Sequence, residues 1–124
     1  MTEEAGLALI GDTARTLGVR PGAPPDGDIP IDPNGMVRPK TGGMSVAPRT
    51  PWNLPDHRRP RLLLGSGKDP VWGIHRDLLG PELQLDQDTP THGTVQPATA
   101  MSIGNYKRAL AETRERWLKV VPAN

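Results

Sequence analysis

The apolar residues of this chain recur at helical spacing only near its two ends. Near the N-terminus they lie three or four positions apart, at Leu7, Ile10, Ala14 and Leu17. This spacing is typical of one face of an amphipathic helix. We therefore expect an N-terminal helix within residues 1–20, running over residues 2–18 with Thr2 as its N-cap and Gly18 at its end.

A second helical pattern lies close to the C-terminus. Its repeating positions are Ile103, Tyr106, Leu110, Thr113 and Trp117. Ser102 is a favoured N-cap residue, and Pro122 is where such a helix has to end. Oppositely charged residues four positions apart, such as Arg108 and Glu112, each stabilise a helix by about 0.3 kcal/mol. The pattern predicts a C-terminal helix that includes Trp117.

Proline and glycine divide the chain between these two helices. Five prolines fall within residues 21–34, which favours an extended, Pro-rich linker. Residues 77–92 are polar and contain two prolines, so we expect a loop there. Short apolar runs from residue 35 onward predict strands at Met36–Val37, Leu62–Leu64, Val71–Ile74 and Thr94–Val95.

The order of these elements predicts an α+β fold, with small antiparallel sheets between two terminal helices. The 14 glycines and 15 prolines among 124 residues exclude an all-helical bundle. No uncharged apolar stretch is long enough to span a membrane. The length fits a single domain over residues 1–124, with residues 35–124 as its main part. All four aromatic residues follow residue 51, so we expect the core in the C-terminal half.

Charge is unevenly distributed along the chain. Residues 1–35 carry six acidic and two basic residues, whereas residues 36–76 carry eight basic and two acidic residues. A basic segment suits a nucleic-acid backbone, a nucleotide diphosphate or an acidic protein. The alternative is a solvated face that pairs with the acidic first third. The acidic N-terminus lacks a signal-peptide pattern, so we expect a cytoplasmic protein, with export by a route that needs no signal peptide left open.

Residue types and spacings exclude several kinds of site. Cysteine is absent, which excludes disulfides, thiolate zinc sites and Cys nucleophiles. The stretch Gly65–Asp69 lacks the first glycine and the Ser or Thr of a P-loop. His57, His75 and His92 are too far apart for a zinc-binding pair, so no metal is expected. Chain order alone assigns no Ser/His/Asp triad.

The most informative stretch is Lys40–Val46, with the sequence Lys-Thr-Gly-Gly-Met-Ser-Val. Two glycines ahead of Ser45 allow the backbone to approach a ligand closely. Arg38 and Lys40 carry charges suited to a diphosphate. A Gly-Gly turn between two strands would give the same local pattern.

Two short stretches share their order and spacing with a known protein family. In Gly35–Val46, a Gly and two apolar residues precede a Pro spacer, Thr-Gly-Gly and a Ser-Val pair. In Thr91–Ala98, a Thr-His pair precedes Thr, an apolar residue and Pro-Ala, and Tyr106 and Trp117 follow. Over residues 35–117 the chain thus resembles an antibacterial toxin family that is exported by type VI secretion and has an ADP-ribosyltransferase-like fold.

This resemblance implies an NAD-binding cleft between a split pair of small antiparallel sheets, with NAD as substrate. Ser45 would lie at the nicotinamide-ribose end and His92 at the cleft, which makes these two the candidate catalytic residues. Met44 stands where the family has Thr. The candidate NAD-binding residues are Arg20, Arg38, Lys40, Gly42, Gly43 and Ser45; the first of these is the candidate for the arginine that ends the family's first strand.

The implied reaction is cleavage of the nicotinamide–ribose bond through an oxocarbenium-like transition state, which a nearby carboxylate stabilises. None of the five glutamates follows the Thr94–Val95 strand, where many transferases of this superfamily carry theirs, and Gln96 stands there instead. Three alternatives remain open. Asp86 or Asp88 supplies the carboxylate, the chain binds NAD without fast transfer, or the fold persists without activity.

The sequence therefore supports two hypotheses of different classes. The first is a small, NAD-binding, ADP-ribosyltransferase-like antibacterial toxin that acts in the cytoplasm and is held inactive by a cognate immunity protein. The second is a non-enzymatic interaction module or structural component that binds an acidic partner or a nucleic acid through residues 38–76. A cleft between two small sheets, with Ser45 and His92 on one wall, would favour the first.

Overall fold

Short antiparallel strands make up most of the regular structure in the computed structural model, which describes all 124 residues. The single α-helix, α1, runs over Ile103–Glu112. The nine strands are β1 (Glu3–Glu4), β2 (Leu7–Ala8), β3 (Met36–Val37), β4 (Met44–Val46), β5 (Val71–Gly73), β6 (Leu83–Thr89), β7 (His92–Pro97), β8 (Met101–Ser102) and β9 (Leu118–Val121). The predicted α+β class with small antiparallel sheets is therefore confirmed.

The strands form four small sheets. In the largest sheet, β7 lies at the centre, with β4 on one side and β6 on the other. Strands β5 and β9 form a second sheet, and β3–β8 and β1–β2 are the other two pairs. The structure thus contains strands at the predicted positions Met36–Val37, Val71–Ile74 and Thr94–Val95, with slightly different bounds.

The C-terminal helix begins where the sequence predicts but ends earlier. The Ser102 hydroxyl caps its first turn by accepting from the Asn105 N–H at 3.1 Å. The helix ends at Glu112, and a 3₁₀ turn at Arg114–Arg116 leads to Trp117, which has extended backbone. The predicted continuation through Trp117 to Pro122 is wrong, because the chain after this turn pairs with β5 as strand β9.

The predicted N-terminal helix is also wrong, since residues 2–18 form a hairpin followed by turns. Ala5 and Gly6 have φ angles of 53° and 80°. Two such residues in succession suit the tight turn between β1 and β2 and interrupt a helix. Of the predicted apolar face only Leu17 is buried, whereas Ile10 and Ala14 are exposed. Extended backbone, rather than a helix, carries Leu17 and its neighbour in the core, Ala8, inward.

Residues 21–34 pack against the rest of the protein and are not an extended linker. Ile29 is fully buried in the core. The Asp28 N–H donates to the Arg20 carbonyl at 2.7 Å, and the Asp28 carbonyl accepts from the Gly43 N–H at 2.9 Å. The proline-rich stretch is therefore a loop, and the buried Ile29 side chain holds it against the core.

Two predictions for the second half of the chain are wrong. The Leu62–Leu64 run is not a strand but part of a 3₁₀ turn, and its first and third leucines are 69% and 79% exposed. Conversely, residues 77–92 contain β6, which pairs along its length with β7. Leu83 and Leu85 face the core at the two-residue period of a strand, a pattern too short to predict a strand by itself.

The core draws on both halves of the chain, so its expected concentration in the C-terminal half is wrong. Val19 and Ile29 lie in the same buried cluster as Tyr106 and Trp117. This cluster fixes α1 and the N-terminal third against the sheets that carry the candidate site. No helix in the structure combines the length and apolar composition needed to cross a membrane. The single-domain boundaries 1–124 stay a prediction.

Candidate functional site

A cleft of about 1260 Å³ lies between the β4–β7–β6 sheet and the β5–β9 sheet. Ser45 and His92 line it on the first sheet, and Trp72 and Val121 line it on the second. Residues 48–51 and 53–55 also contribute to its lining. Ligand sites commonly have volumes of about 300–1,000 Å³, so this cleft has room for a ligand of dinucleotide size.

Ser45 and His92 are neighbours at the rim of the cleft, where Ser45 is exposed and alternates along β4 with Met44 and Val46. Ser45 lies opposite Thr94 in the pairing of β4 with β7, and His92 is the first residue of β7. Since residues two apart on a strand share a face, His92 and Thr94 lie on the side of the sheet to which Ser45 points. The Ser45 Oγ is 3.3 Å from the His92 Nε2. The structure thus brings the two candidate catalytic side chains together.

Asp88 contacts the other nitrogen of the same imidazole. Its Oδ1 lies 2.7 Å from the His92 Nδ1. The hydrogen bond from His92 holds the pKa of the Asp88 carboxyl below its ordinary value. Sequence reasoning considered this aspartate as a carboxylate for the ribose, whereas in the structure its partner is His92.

Gln96 is buried in a polar network on the same sheet. Its Oε1 accepts from the Lys40 N–H at 3.1 Å, and its Nε2 donates to the Thr94 hydroxyl at 2.9 Å and to Asp86 at 3.2 Å. The Lys40 Nζ forms an ion pair with Asp86 at 2.9 Å. Neither Gln96 nor Asp86 lines the cleft. The Asp86 carboxylate therefore already has a cation and an amide as partners.

The predicted cationic contacts differ in their positions. Arg20 lines the cleft, and its guanidinium pairs with Asp28 at 3.3 Å. Arg38 lies outside the cleft lining and pairs with Asp32 at 2.9 Å. Lys40 also lies outside, paired with Asp86. The structure therefore places one of these three cations at the cleft.

Gly42 and Gly43 allow two backbone segments to pack closely. A Cβ on Gly42 would overlap with the carbonyl oxygen of Asp28, and a Cβ on Gly43 would lie 2.5 Å from the carbonyl oxygen of Val95. The pair thus lets the chain pass between the Asp28 loop and β7. Direct NAD binding by these glycines, like that by Arg38 and Lys40, stays a prediction.

Arg49 is a cleft residue that sequence reasoning did not single out. It lines the cleft close to Ser45, and it also lines a neighbouring recess of about 530 Å³ together with Asp88. Its exposed side chain forms no ion pair, and its φ of 71° is unusual for a residue with a side chain. In the sequence nothing separated Arg49 from the seven other basic residues of its segment.

A comparison with known families decides the class of this protein. Residues 5–117 match the family model of the Tse2 ADP-ribosyltransferase toxin. The chain belongs to the Tse2 family. This family is one of type VI effectors, and membership makes the chain an ADP-ribosyltransferase-like antibacterial toxin, as the resemblance predicted. No curated protein matches the chain.

This Tse2-family protein has no glutamate in the lining of its cleft. Its five glutamates are Glu3, Glu4, Glu82, Glu112 and Glu115. No group of three His, Cys, Asp or Glu side chains could hold a metal ion. The carboxylates in the cleft lining are Asp28 and Asp69, and each of them is paired with an arginine, Asp28 with Arg20 and Asp69 with Arg15.

Part of the basic segment 38–76 is engaged by acidic side chains of the same chain. Three of its basic side chains have acidic partners: Arg38, Lys40 and Arg59. The Arg59 guanidinium also lies 5.9 Å from the centre of the Trp52 ring. Nothing found here favours the interaction-module hypothesis over the toxin.

Proposed function

We propose that this chain binds NAD in the cleft between its two sheets and cleaves the nicotinamide–ribose bond to transfer ADP-ribose. The observation that carries the proposal is the contact of the Ser45 Oγ with the His92 Nε2 at the rim of the cleft. The resemblance implies Ser45 at the nicotinamide-ribose end of NAD and His92 at the cleft. We assign both to the reacting end.

The proposed chemistry needs groups that orient the ribose as its reacting carbon gains positive charge. Ser45 and His92 supply a hydroxyl and an imidazole, which donate and accept hydrogen bonds to sugar hydroxyls. Val46, Leu54 and Val120 line the cleft without being buried, so they offer apolar surface to a planar ring. The cleft therefore combines polar groups for a ribose with surface for a base.

Arg49 and Arg20 are our candidates for the diphosphate of NAD. Guanidinium groups bind phosphate oxygens through paired hydrogen bonds. Arg49 has no acidic partner to leave, and Arg20, which is paired with Asp28, already lines the cleft together with that partner. Arg38 and Lys40 would first have to leave their ion pairs in order to reach a ligand there.

The test combines NAD calorimetry with measurement of nicotinamide release by chromatography. Ser45→Ala and His92→Ala are expected to abolish nicotinamide release, and Arg49→Ala to weaken NAD binding. Arg61→Ala is the matched control, because Arg61 lies outside the cleft lining and its loss removes the same charge. Expression of wild type in bacteria is expected to stop growth, and the Ser45 and His92 variants to restore it.

Two results would overturn the proposal. One is the absence of NAD binding by wild type together with normal growth on expression. The other is nicotinamide release by Ser45→Ala and His92→Ala at the wild-type rate. Equal NAD affinity of Arg49→Ala and Arg61→Ala would show that Arg49 does not bind NAD, but it would not contradict the proposed reaction.

We further propose that the toxin acts in the cytoplasm of the target cell and that a cognate immunity protein holds it inactive in the producing cell. Membership of a type VI toxin family supports both statements. Co-expression of the immunity gene is expected to restore growth and to yield a complex in which NAD no longer binds. Growth arrest only when the toxin carries a periplasmic export signal would contradict the cytoplasmic site of action.

A further inference from the structure

Three side chains form a hydrogen-bonded row at the mouth of the cleft. The Asp88 Oδ1 lies 2.7 Å from the His92 Nδ1, and the His92 Nε2 lies 3.3 Å from the Ser45 Oγ. Both ring nitrogens of His92 are thus engaged by different residues. The role of each nitrogen follows from the chemistry of its partner.

Asp88 owes its position to an irregularity in β6. The pairing with β7 runs Gln87 opposite Gly93 and then Thr89 opposite His92, so Asp88 is the extra residue of a β-bulge. In such a bulge two residues of one strand oppose one residue of the other. Asp88 is therefore held beside His92 by the strand pairing itself.

The turn that joins the two strands is fixed by further contacts. The Gln87 side chain donates to the Thr89 carbonyl at 3.0 Å, and the Thr91 N–H donates to the Thr89 hydroxyl at 3.2 Å. Asp86, the next carboxylate along β6, is engaged by Lys40 and does not contact His92. Of these two aspartates, Asp88 is the one directed at the imidazole.

An ionised carboxylate accepts hydrogen bonds and donates none. The His92 Nδ1 must therefore carry a proton, and in the neutral ring Nε2 is then the unprotonated nitrogen. We infer that Asp88 is a positioning residue that holds His92 in the tautomer whose Nε2 accepts a hydrogen bond from the Ser45 hydroxyl. The catalytic role of Asp88 rests on the proposed NAD reaction, whereas the tautomer of His92 is independent of that reaction.

His75 provides an internal comparison, because its Nδ1 accepts a hydrogen bond whereas the His92 Nδ1 donates one. Its Nδ1 accepts from the Asp77 backbone N–H at 3.2 Å, while the Asp77 carboxylate lies farther away, at 3.5 Å. The neutral His75 ring must then carry its proton on Nε2. Two histidines of one chain, each with an aspartate nearby, are thus expected in opposite tautomers.

The first experiment measures the ring nitrogen-15 shifts of the three histidines by NMR above the pH at which the rings are charged. In wild type, His92 is expected to carry its proton on Nδ1 and His75 on Nε2. Asp88→Ala is expected to leave His92 as a mixture of both tautomers without moving the signals of His57 and His75. Asp77→Ala is the matched control, expected to leave the His75 tautomer unchanged because the backbone N–H remains.

The second experiment measures the rate of nicotinamide release. Asp88→Ala is expected to lower kcat by about 10- to 100-fold, as losses of an orienting partner commonly do, with little change in KM for NAD.

A wild-type His92 that carries its proton on Nε2, or an unchanged tautomer in Asp88→Ala, would overturn the inference. So would an Asp88→Ala enzyme that releases nicotinamide as fast as wild type. If wild type releases no nicotinamide at all, the proposed function fails, and the NMR experiment still decides the role of Asp88.

Discussion

The Tyr106 hydroxyl accepts a hydrogen bond from the Met44 N–H at 3.2 Å, and Met44 directly precedes Ser45 in β4. The same hydroxyl donates to the carbonyl of Val95 in β7. Burial raises the pKa of this phenol above its ordinary value, so it remains protonated near neutral pH. One side chain of α1 thus joins the two strands that carry Ser45 and His92.

Replacing Tyr106 by Phe should destabilise the protein. The substitution leaves the Met44 N–H and the Val95 carbonyl without this buried partner, which costs about 1–3 kcal/mol. Urea unfolding followed by fluorescence measures the difference. Trp52→Phe is the control, because this aromatic side chain is exposed, and it should change stability by less than about 0.5 kcal/mol. Equal stability of the two variants would contradict the structural role of Tyr106.

Gly42→Ala should cost more stability than Gly6→Ala. Both glycines have a φ that disfavours a side chain, 142° and 80°. At Gly6 a Cβ meets nothing within 4 Å, so only backbone strain of about 1–2 kcal/mol is expected. At Gly42 the Cβ also overlaps with the Asp28 carbonyl, which forces the loop to move. Thermal or urea unfolding compares the two, and equal losses would show that the close packing at Gly42 is unimportant.

Gln96→Glu should not supply the glutamate that the cleft lacks. The new carboxylate would face Asp86, to which the native amide donates at 3.2 Å. Two adjacent carboxylates raise the pKa of one of them, so we expect a loss of about 1–3 kcal/mol at pH 7. The loss should shrink below about pH 5, as the new carboxyl is protonated. Urea unfolding at both pH values measures it.

Asn105→Asp is the charge-matched control for this experiment and should be neutral or slightly stabilising, because the Asn105 side chain is exposed in the first turn of α1. Nicotinamide release should not rise in Gln96→Glu, because Gln96 does not line the cleft. A variant with wild-type stability and faster release would show that this position can act as the missing catalytic carboxylate.

Asp69→Asn should reduce the dependence of stability on pH. Arg15 donates to Asp69 at 2.8 and 2.7 Å, which holds the pKa of that carboxyl below its ordinary value. A lowered carboxyl pKa stabilises the folded state above the unfolded-chain pKa of about 3.9, and this contribution is lost as pH falls through the folded-state pKa. Because the Arg15 side chain is 58% exposed and solvent screens the pair, this contribution amounts to about 1 kcal/mol or less.

We therefore expect Asp69→Asn to be less stable than wild type at pH 7, and the difference to be smaller at about pH 2. The free energy of unfolding in urea at each pH checks this. Asp26→Asn serves as control, because Asp26 forms no ion pair, and it should match wild type at both. If the free energies of unfolding of Asp69→Asn and wild type differ by the same amount at both pH values, the ion pair is not the cause of the difference.

Local features of the fold could be predicted from the sequence, and features that depend on distant partners could not. The start of α1 is local, since Ser102 caps the helix through Asn105, three residues away. Its end is not, because Trp117 leaves the helix to begin the segment that pairs with β5. In the same way, the leucines of β6 become recognisable as a strand only beside β7.

By itself, the sequence determined the toxin family and the two candidate catalytic residues. The order and spacing of short motifs can be compared between two sequences without knowledge of the fold. The tertiary structure alone decided that Ser45 and His92, 47 positions apart, touch, that the bulge in β6 places Asp88 beside His92, and that Lys40 is engaged by Asp86, 46 positions away. The physical reason is strand register. Hydrogen bonds between strands remote in sequence set these distances, and no local pattern encodes which strand pairs with which.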